Sequence, residues 1–262
     1  MKTLIYSLLS VLIFSAVAFI APAQNTKYLL LEYIKLKPGI TDTTPVIENT
    51  RKRIQLQKQK DASVLWSSLW EVVGYNPNKN DYQYIVATVF KNFSDWLSEY
   101  KNSDSKVFYS ITKGRLDSAS IHKSDSFDII YTPIFEVLAD AGSLKKQPQL
   151  MLIKDVKATP GKEVAYESLE MEDWLPIHQD LIKKDYETAY NFSGLSFPQE
   201  GSDYNYSTLI FYSDDAMFDK QNDIDYDPYM RKNQSAFINA GTLNKEIFSE
   251  LLKLVAFVKS EE

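Results

Sequence analysis

Two motifs in this chain recur at one spacing, and that recurrence limits the folds open to it. Asp81, Tyr82 and Tyr84 match Asp203, Tyr204 and Tyr206 at an offset of 122 residues. The same offset carries Leu30 to Leu152, Lys35 to Lys157, Pro38-Gly39 to Pro160-Gly161 and Lys123 to Lys245. Separated motifs that keep one spacing without a gap are poor material for coincidence. The chain reads as one unit used twice, and an internal repeat constrains a fold more than local propensity does.

Each copy carries the same order of patterns. A leucine-rich, β-branched strand (28–37 and 149–158) ends at Pro-Gly, a turn that releases the chain into a helix (44–60 and 162–184). A second strand follows, SVLWSSLWEVV in the first copy and ETAYNFSGLSF in the second. Polar clusters then turn the chain into a third strand that opens with the DYxY residues, giving a hairpin. Helical turns are expected near 94–101 and 214–221, then more helix, and a closing strand at 127–137 and 247–258. That last stretch, IFSELLKLVAFV, also has helical character, and its copy FDIIYTPIFE decides for strand.

The order β-α-β-β-α-β is the split βαβ, or ferredoxin-like, unit. The fold class is therefore α+β: two tandem ferredoxin-like repeats whose antiparallel sheets pack face to face within one chain. In YIVATVFKNF apolar residues fall on both faces, as helices on one side and a second sheet on the other require. The expected organisation is a leader at 1–23, a first repeat at 24–137, a linker at 138–148 and a second repeat at 149–262. A barrel closed within one chain needs no second copy and is compatible with a monomer; the sequence leaves the oligomeric state open.

The leader has the pattern of a signal peptide: Lys2 supplies a positive start, Leu4 to Ile20 is an apolar run, and Ala21-Pro22-Ala23 is a cleavage signature. An anchoring helix is the rival for a run of that length. The A-x-A step and the serines at 7, 10 and 15 favour cleavage and export to a periplasmic or extracellular location. The chain has no cysteine, hence no disulfide, no thiol chemistry and no lipid-modified cysteine. Its net charge of −6 argues against nonspecific binding to nucleic acid or anionic lipid. The basic stretch RKRIQLQKQK sits in a helical segment and reads as a solvated face.

These residues resemble the dimeric α+β barrel superfamily, the group that includes antibiotic-biosynthesis monooxygenases, in a tandem form with both halves on one chain. The resemblance spans Lys27 to Val258 and rests on topology, Pro-Gly after strand one, and WLPIHQDLI at 174–182. The Trp-x-Pro-Ile-His stretch also resembles one in uncharacterised exported proteins of Bacteroidetes-type bacteria. The first copy departs from it, with Lys52, Ile54 and Leu56 at the matching positions. The superfamily implies cofactor-independent oxygenases, haem-binding and haem-degrading enzymes, lactone isomerases or stress proteins, with a pocket between sheet and helices.

The inventory excludes other chemistry. His122 and His178 are the only histidines, so a Cys/His zinc site is absent, and no phosphate loop, dinucleotide fingerprint or G-x-S-x-G elbow occurs. DIDYDP at 223–228 alternates carboxylates like a calcium loop, but Pro228 and Gln234 stand where the turn glycine and bidentate glutamate belong. It reads as a solvated turn.

His178 is the strongest candidate site residue. On a helical wheel Val164, Met171, Leu175, His178 and Ile182 share a stripe, with Trp174 and Leu181 beside it, so the imidazole faces the sheet. Pro176 removes a backbone donor and predicts a kink near Leu175. The bland alternative is a core histidine bonded to a carbonyl. Trp66 and Trp70 share one strand face, and Tyr190 and Phe192 are expected on the nearly matching face of the second copy; either pair is core or stacks on a flat ligand. Tyr84 and Tyr206 line the pocket or sit at the seam, and Asn49 and Arg53 lie at a solvent edge. The expected ligand-binding set is His178, Trp174, Met171, Tyr206, Tyr190 and Phe192, for a small apolar or aromatic molecule. No cofactor is predicted. The reading is an exported, non-catalytic protein that binds such a molecule between sheet and helices; the alternative is a monooxygenase-like enzyme using His178, of which a haem version needs His178 as axial ligand.

Overall fold

The computed structural model describes residues 26–40, 43–44, 46–48, 64–75, 81–95, 126–144, 147–197, 203–232 and 234–259. The expected leader, most of the first-copy helix with Asn49 and Arg53, and His122 and Lys123 lie outside these residues.

Among the described residues, the first half supplies the strands β1 (Tyr28–Leu36), β2 (Val64–Val72), β3 (Tyr84–Phe90), β4 (Phe127–Tyr131) and β5 (Ile134–Gly142). The second half supplies β6 (Leu150–Ala158), β7 (Ala189–Phe197), β8 (Tyr206–Tyr212) and β9 (Asn244–Lys259). Its helices are α1 (Glu163–Ser168), a π-helical turn (Leu169–Trp174), α2 (Leu175–Lys183), α3 (Asp215–Asp219), α4 (Asp227–Lys232) and α5 (Gln234–Leu243). Residue 133 is a proline without a ladder donor, and it divides β4 from β5, which otherwise run on as one strand along β1. Among the described residues no helix is long and apolar enough to cross a membrane.

Within each half the strand order is the ferredoxin-like one: β2-β3-β1-β4/β5, and β7-β8-β6-β9. The closing strand of each half also pairs with the second strand of the other, β5 with β7 and β9 with β2. Since β1 pairs with both β3 and β5, the ring closes into an antiparallel barrel. Closure leaves no long unpaired edge, which is how such sheets avoid edge-to-edge association.

The registers show the duplication directly. Tyr28 faces Phe90 and Leu150 faces Tyr212, pairs separated by the offset of 122. Gly39 and Gly161 hold the same left-handed turn, at φ 83 and 78, which only glycine adopts without strain after proline. The offset is not constant. Trp66 faces Val89 and Ala189 faces Phe211, a shift of 123, while Asp128 faces Lys35 and Lys245 faces Lys157, a shift of 117. The counterpart of Lys245 is therefore Asp128, and the match to Lys123 was accidental.

That single-residue step has a consequence for the aromatic pairs. Strand side chains alternate faces, so a shift by one moves a residue to the other side. Trp66 and Trp70 point into the barrel beside Phe211, whereas Tyr190 and Phe192 point outward to the helices. They are not on matching faces. The barrel interior is a filled core of both halves, including Leu31, Ile85, Trp70, Met151, Ile153 and Leu209. Burying each such side chain is worth roughly 1.5–3 kcal/mol.

The stretch expected as an exposed linker starts as strand: Leu138 to Gly142 lie in β5 and pair with β7. Its small residues serve close packing, since the Leu138 side chain sits over Gly194.

Candidate functional site

A cavity of about 600 Å³ lies between the second sheet and its helices. The sheet wall comes from the outward residues of β6, β7 and β8, with Leu152, Tyr190, Ile210 and Tyr212 among them. The helix wall includes Met230 of α4 and Ala240 and Gly241 of α5, and the rest comes from α1, the π turn and α2, which present Tyr166, Glu170, Trp174 and His178.

Those four residues are spaced by four. In a regular α-helix each such step advances about 40°, so His178 would lie about 120° round from Tyr166. The wider π turn absorbs much of that drift and aligns all four on the cavity. Its placement follows from Pro176: in a regular helix the ring would press on the carbonyl of Glu172 and deny it a donor. The kink expected near Leu175 is thus a π turn ending at Trp174. It also overturns the stripe that joined Val164 and Met171 to His178, since Val164 is 77% and Met171 39% exposed.

His178 is held by a partner the sequence did not suggest. Asp185 at φ 57 ends α2 in a left-handed turn, closed by Tyr186 N–H donating to Leu181 O at 3.0 Å. The chain doubles back and brings Glu187 under the imidazole, Nδ1 to Oε2 at 2.8 Å, with both side chains buried. The ring stacks on Tyr190 at 3.8 Å and 15°. Nε2 makes no hydrogen bond among the described residues, and His178 borders the cavity.

A second polar chain lies beside it. The Tyr190 hydroxyl donates to Glu170 Oε2 at 2.9 Å. Burial pushes the Glu170 carboxyl above the usual range, while the hydroxyls of Tyr166 and Tyr190 and the nearby His178 and Lys154 pull it back. Burial, and then the charge of Glu170, raise the Tyr190 hydroxyl well above its ordinary value. Lys154, Asn244 and exposed Glu246 also border the cavity.

Of the six expected ligand-binding residues, the cavity brings together His178, Trp174 and Tyr190. Met171 is exposed, and Phe192 is buried in the core, stacked on Tyr206 at 5.4 Å. Tyr206 spends its hydroxyl on Glu167 at 2.9 Å, outside the cavity lining. Tyr84 packs in the outer core of the first half. The residues sequence reasoning missed are Tyr166, Glu170 and Glu187. The i, i+4, i+8, i+12 series from Tyr166 to His178 was the available signal for the first two, had the π turn been anticipated.

No family model matches the chain, and no curated protein matches it in sequence. Solved structures do match in fold. An anthrone oxidase-like protein aligns at a TM-score of 0.58 and 9% identity, covering 92% of this chain and 95% of that one. A monooxygenase-like protein of Fusobacterium nucleatum aligns at 0.56 and 9% identity, over 89% and 94%. Another, from Lactobacillus acidophilus, aligns at 0.55 and 8%, over 89% and 96%. These neighbours share the closed ring of strands, and the fold is a dimeric α+β barrel in tandem form, with both ferredoxin-like halves on one chain.

Proposed function

We propose that the cavity binds a flat aromatic molecule and that His178 withdraws a proton from it. The observation that carries this is the His178–Glu187 pair, with Nε2 left for a ligand. A carboxylate on Nδ1 fixes the tautomer, stabilises the imidazolium once formed and makes Nε2 the base. The stacked Tyr190 ring, Trp174 and Tyr166 suit a two- or three-ring molecule, and the cavity has the size of ordinary small-ligand sites. In the step, a C–H or O–H bond of the ligand breaks and its proton passes to Nε2. The electron pair stays on the ligand, and the carbanion form gives up electrons to dioxygen as a C–O bond forms. The peroxide takes the proton back from Nε2, and loss of water from the hydroperoxide leaves a carbonyl on the ligand, with dioxygen as the only oxidant. This favours the oxygenase-like class over a passive binding protein.

A haem reading meets one requirement and fails another. A histidine whose other nitrogen is held by a carboxylate suits axial ligation. The cavity, however, offers Lys154 against Glu170, Glu187 and Glu246, which leaves two propionates without counter-charge. The residues present do not fit haem.

The test uses anthrone as probe, titrated into the protein while tryptophan emission, to which Trp174 at the cavity contributes, is followed. Saturable binding that is lost in Tyr190→Leu and kept in Met171→Ala supports the reading; no binding overturns it. Adding haem should give no absorbance shift dependent on His178.

We also propose export with cleavage after Ala23, from the A-x-A step and the apolar run. Peptide-mass analysis of the secreted protein should find Gln24 as its first residue. Retention of the 4–20 segment would mean an anchored protein.

A further inference from the structure

At one end of the barrel, on the face of β6 opposite the helix-side cavity, the two copies line a second cavity of about 450 Å³ that opens to solvent. Its wall is made of repeat partners. Tyr82 and Tyr204 come from the two DYxY motifs, and Tyr131 and Phe248 from the closing strands, where they face Tyr33 and Asp155. The rings form a connected set: Tyr33 meets Tyr82 edge-on at 4.7 Å, and Tyr82 lies 6.3 Å from Phe248.

The symmetry fails at one position. Where the first copy has Tyr33, the second has Asp155, offset by 122 residues. Asp155 is 3% exposed, and its Oδ1 has no hydrogen-bond partner among the described residues. The hydroxyls of Tyr33 and Ser207 lie near this carboxylate and are likewise without a partner within bonding distance, so the buried polar cluster leaves an acceptor open to a donor from the cavity. No lysine or arginine borders the cavity among the described residues; at its rim, exposed Asp81 has Lys35 at 3.9 Å. No three acidic or histidine side chains among the described residues converge closely enough to hold a metal ion. Aromatic faces attract organic cations, and more strongly where water is excluded.

We propose that this cavity binds a protonated amine, a compact alkylammonium whose N–H donates to Asp155 Oδ1 while its charge and methylenes lie against the rings of Tyr33, Tyr82, Tyr131 and Tyr204. The orphan acceptor selects an ammonium with N–H over a quaternary one. Asp203 and Asp81, flanking the two motif tyrosines, supply further negative potential at the rim.

Occupancy should follow the charge of Asp155. Burial raises its carboxyl from 3.8 to about 7, partly offset by the nearby Ser207 and Tyr33 hydroxyls. The groups around it are Tyr33 on β1, Tyr82 and Asp81 ahead of β3, Tyr131 on β4, Tyr204, Asp203 and Ser207 at β8, and Glu250 on β9. Burial raises the hydroxyls of Tyr33, Tyr82 and Tyr204, so they stay protonated, and Glu250 is also raised by burial while accepting from Tyr82 at 2.7 Å.

The experiment is calorimetric titration of the full chain with n-propylammonium, with tetramethylammonium as a comparison of equal charge and no donor. Propylammonium should bind saturably, and tetramethylammonium should bind at least about tenfold more weakly, as expected for loss of a charge-assisted hydrogen bond. Asp155→Asn should lose at least about tenfold in affinity, and Asp81→Asn, at an exposed rim position, about two- to threefold. Binding should weaken by about tenfold from pH 8 to pH 6 as Asp155 takes up its proton. Absence of saturable binding, equal affinity for the two cations, or unchanged affinity in Asp155→Asn each overturns the proposal. Should Asp155→Asn fail to fold, the cation comparison and the Asp81→Asn titration decide it.

Discussion

His178 and Glu187 are nine residues apart in the chain and 2.8 Å apart at Nδ1 and Oε2, joined by the turn that Asp185 makes at the end of α2. With the Glu187 carboxylate accepting from Nδ1–H, the neutral ring carries its lone pair on Nε2, and His178 borders the cavity. Glu187→Gln keeps an acceptor in place and removes the charge. Proton removal from a bound aromatic should slow roughly 10- to 100-fold, with ligand affinity nearly unchanged. Rate and binding measured on the same preparation separate the two effects.

Tyr190 has two duties, stacking under the imidazole and donating to Glu170. Tyr190→Phe removes only the second. Glu170 then loses a donor and its carboxyl rises further, at a stability cost of about 1–2 kcal/mol by chemical denaturation. Ligand binding should survive in this variant and fail in Tyr190→Leu.

Asp155 should give the protein an unusual pH dependence. Its folded-state value is raised from 3.8 to about 7, so the folded chain keeps a proton that the unfolded chain releases. The contribution is complete below the unfolded value and is lost as pH rises through about 7. The loss is at most about 4 kcal/mol, and less where water reaches the carboxylate. Asp155→Asn should flatten that slope and be the more stable form at pH 8 in thermal melts.

Gly142 closes β5 at φ 75, and a Cβ there would stand 2.4 Å from Thr188 O and 2.9 Å from Ala189 Cα. Both contacts are backbone and cannot swing away. Gly142→Ala should destabilise by about 2 kcal/mol or more. Gly39→Ala and Gly161→Ala, with open space around them, should cost about 1 kcal/mol each from the backbone conformation alone. Melting curves of the three variants rank them.

The duplication was legible because strand patterns and turn glycines are local: Pro38-Gly39 and Pro160-Gly161 announce the same turn in the string and in space. Even IFSELLKLVAFV, helical in character, was assigned to strand by comparison with its copy. The one-residue change of offset at β7 was not legible, since alternation alone does not fix which face a strand presents, and Tyr190 and Phe192 were consequently set against the wrong partners. Helical spacing placed His178 and Trp174 on the side that borders the cavity, whereas Met171 was set there only because the spacing assumed an unbroken α-helix. Glu187 was invisible for a different reason. It reaches His178 through a left-handed aspartate, and nothing in the composition of KKDYET predicts that turn. Asp155 was passed over within a strand because an acidic residue facing a barrel interior looks like a solvent-facing one until the sheet closes.

The central claim, that His178 withdraws a proton from a bound flat aromatic, is tested most directly by hydrogen–deuterium exchange. Anthrone in deuterated buffer is followed by NMR at its methylene carbon, with and without protein. The account expects catalysed exchange that falls about 10²- to 10⁴-fold in His178→Ala, while that variant still binds the probe. Exchange no faster than in buffer with anthrone bound, or catalysis undiminished in His178→Ala, would contradict it.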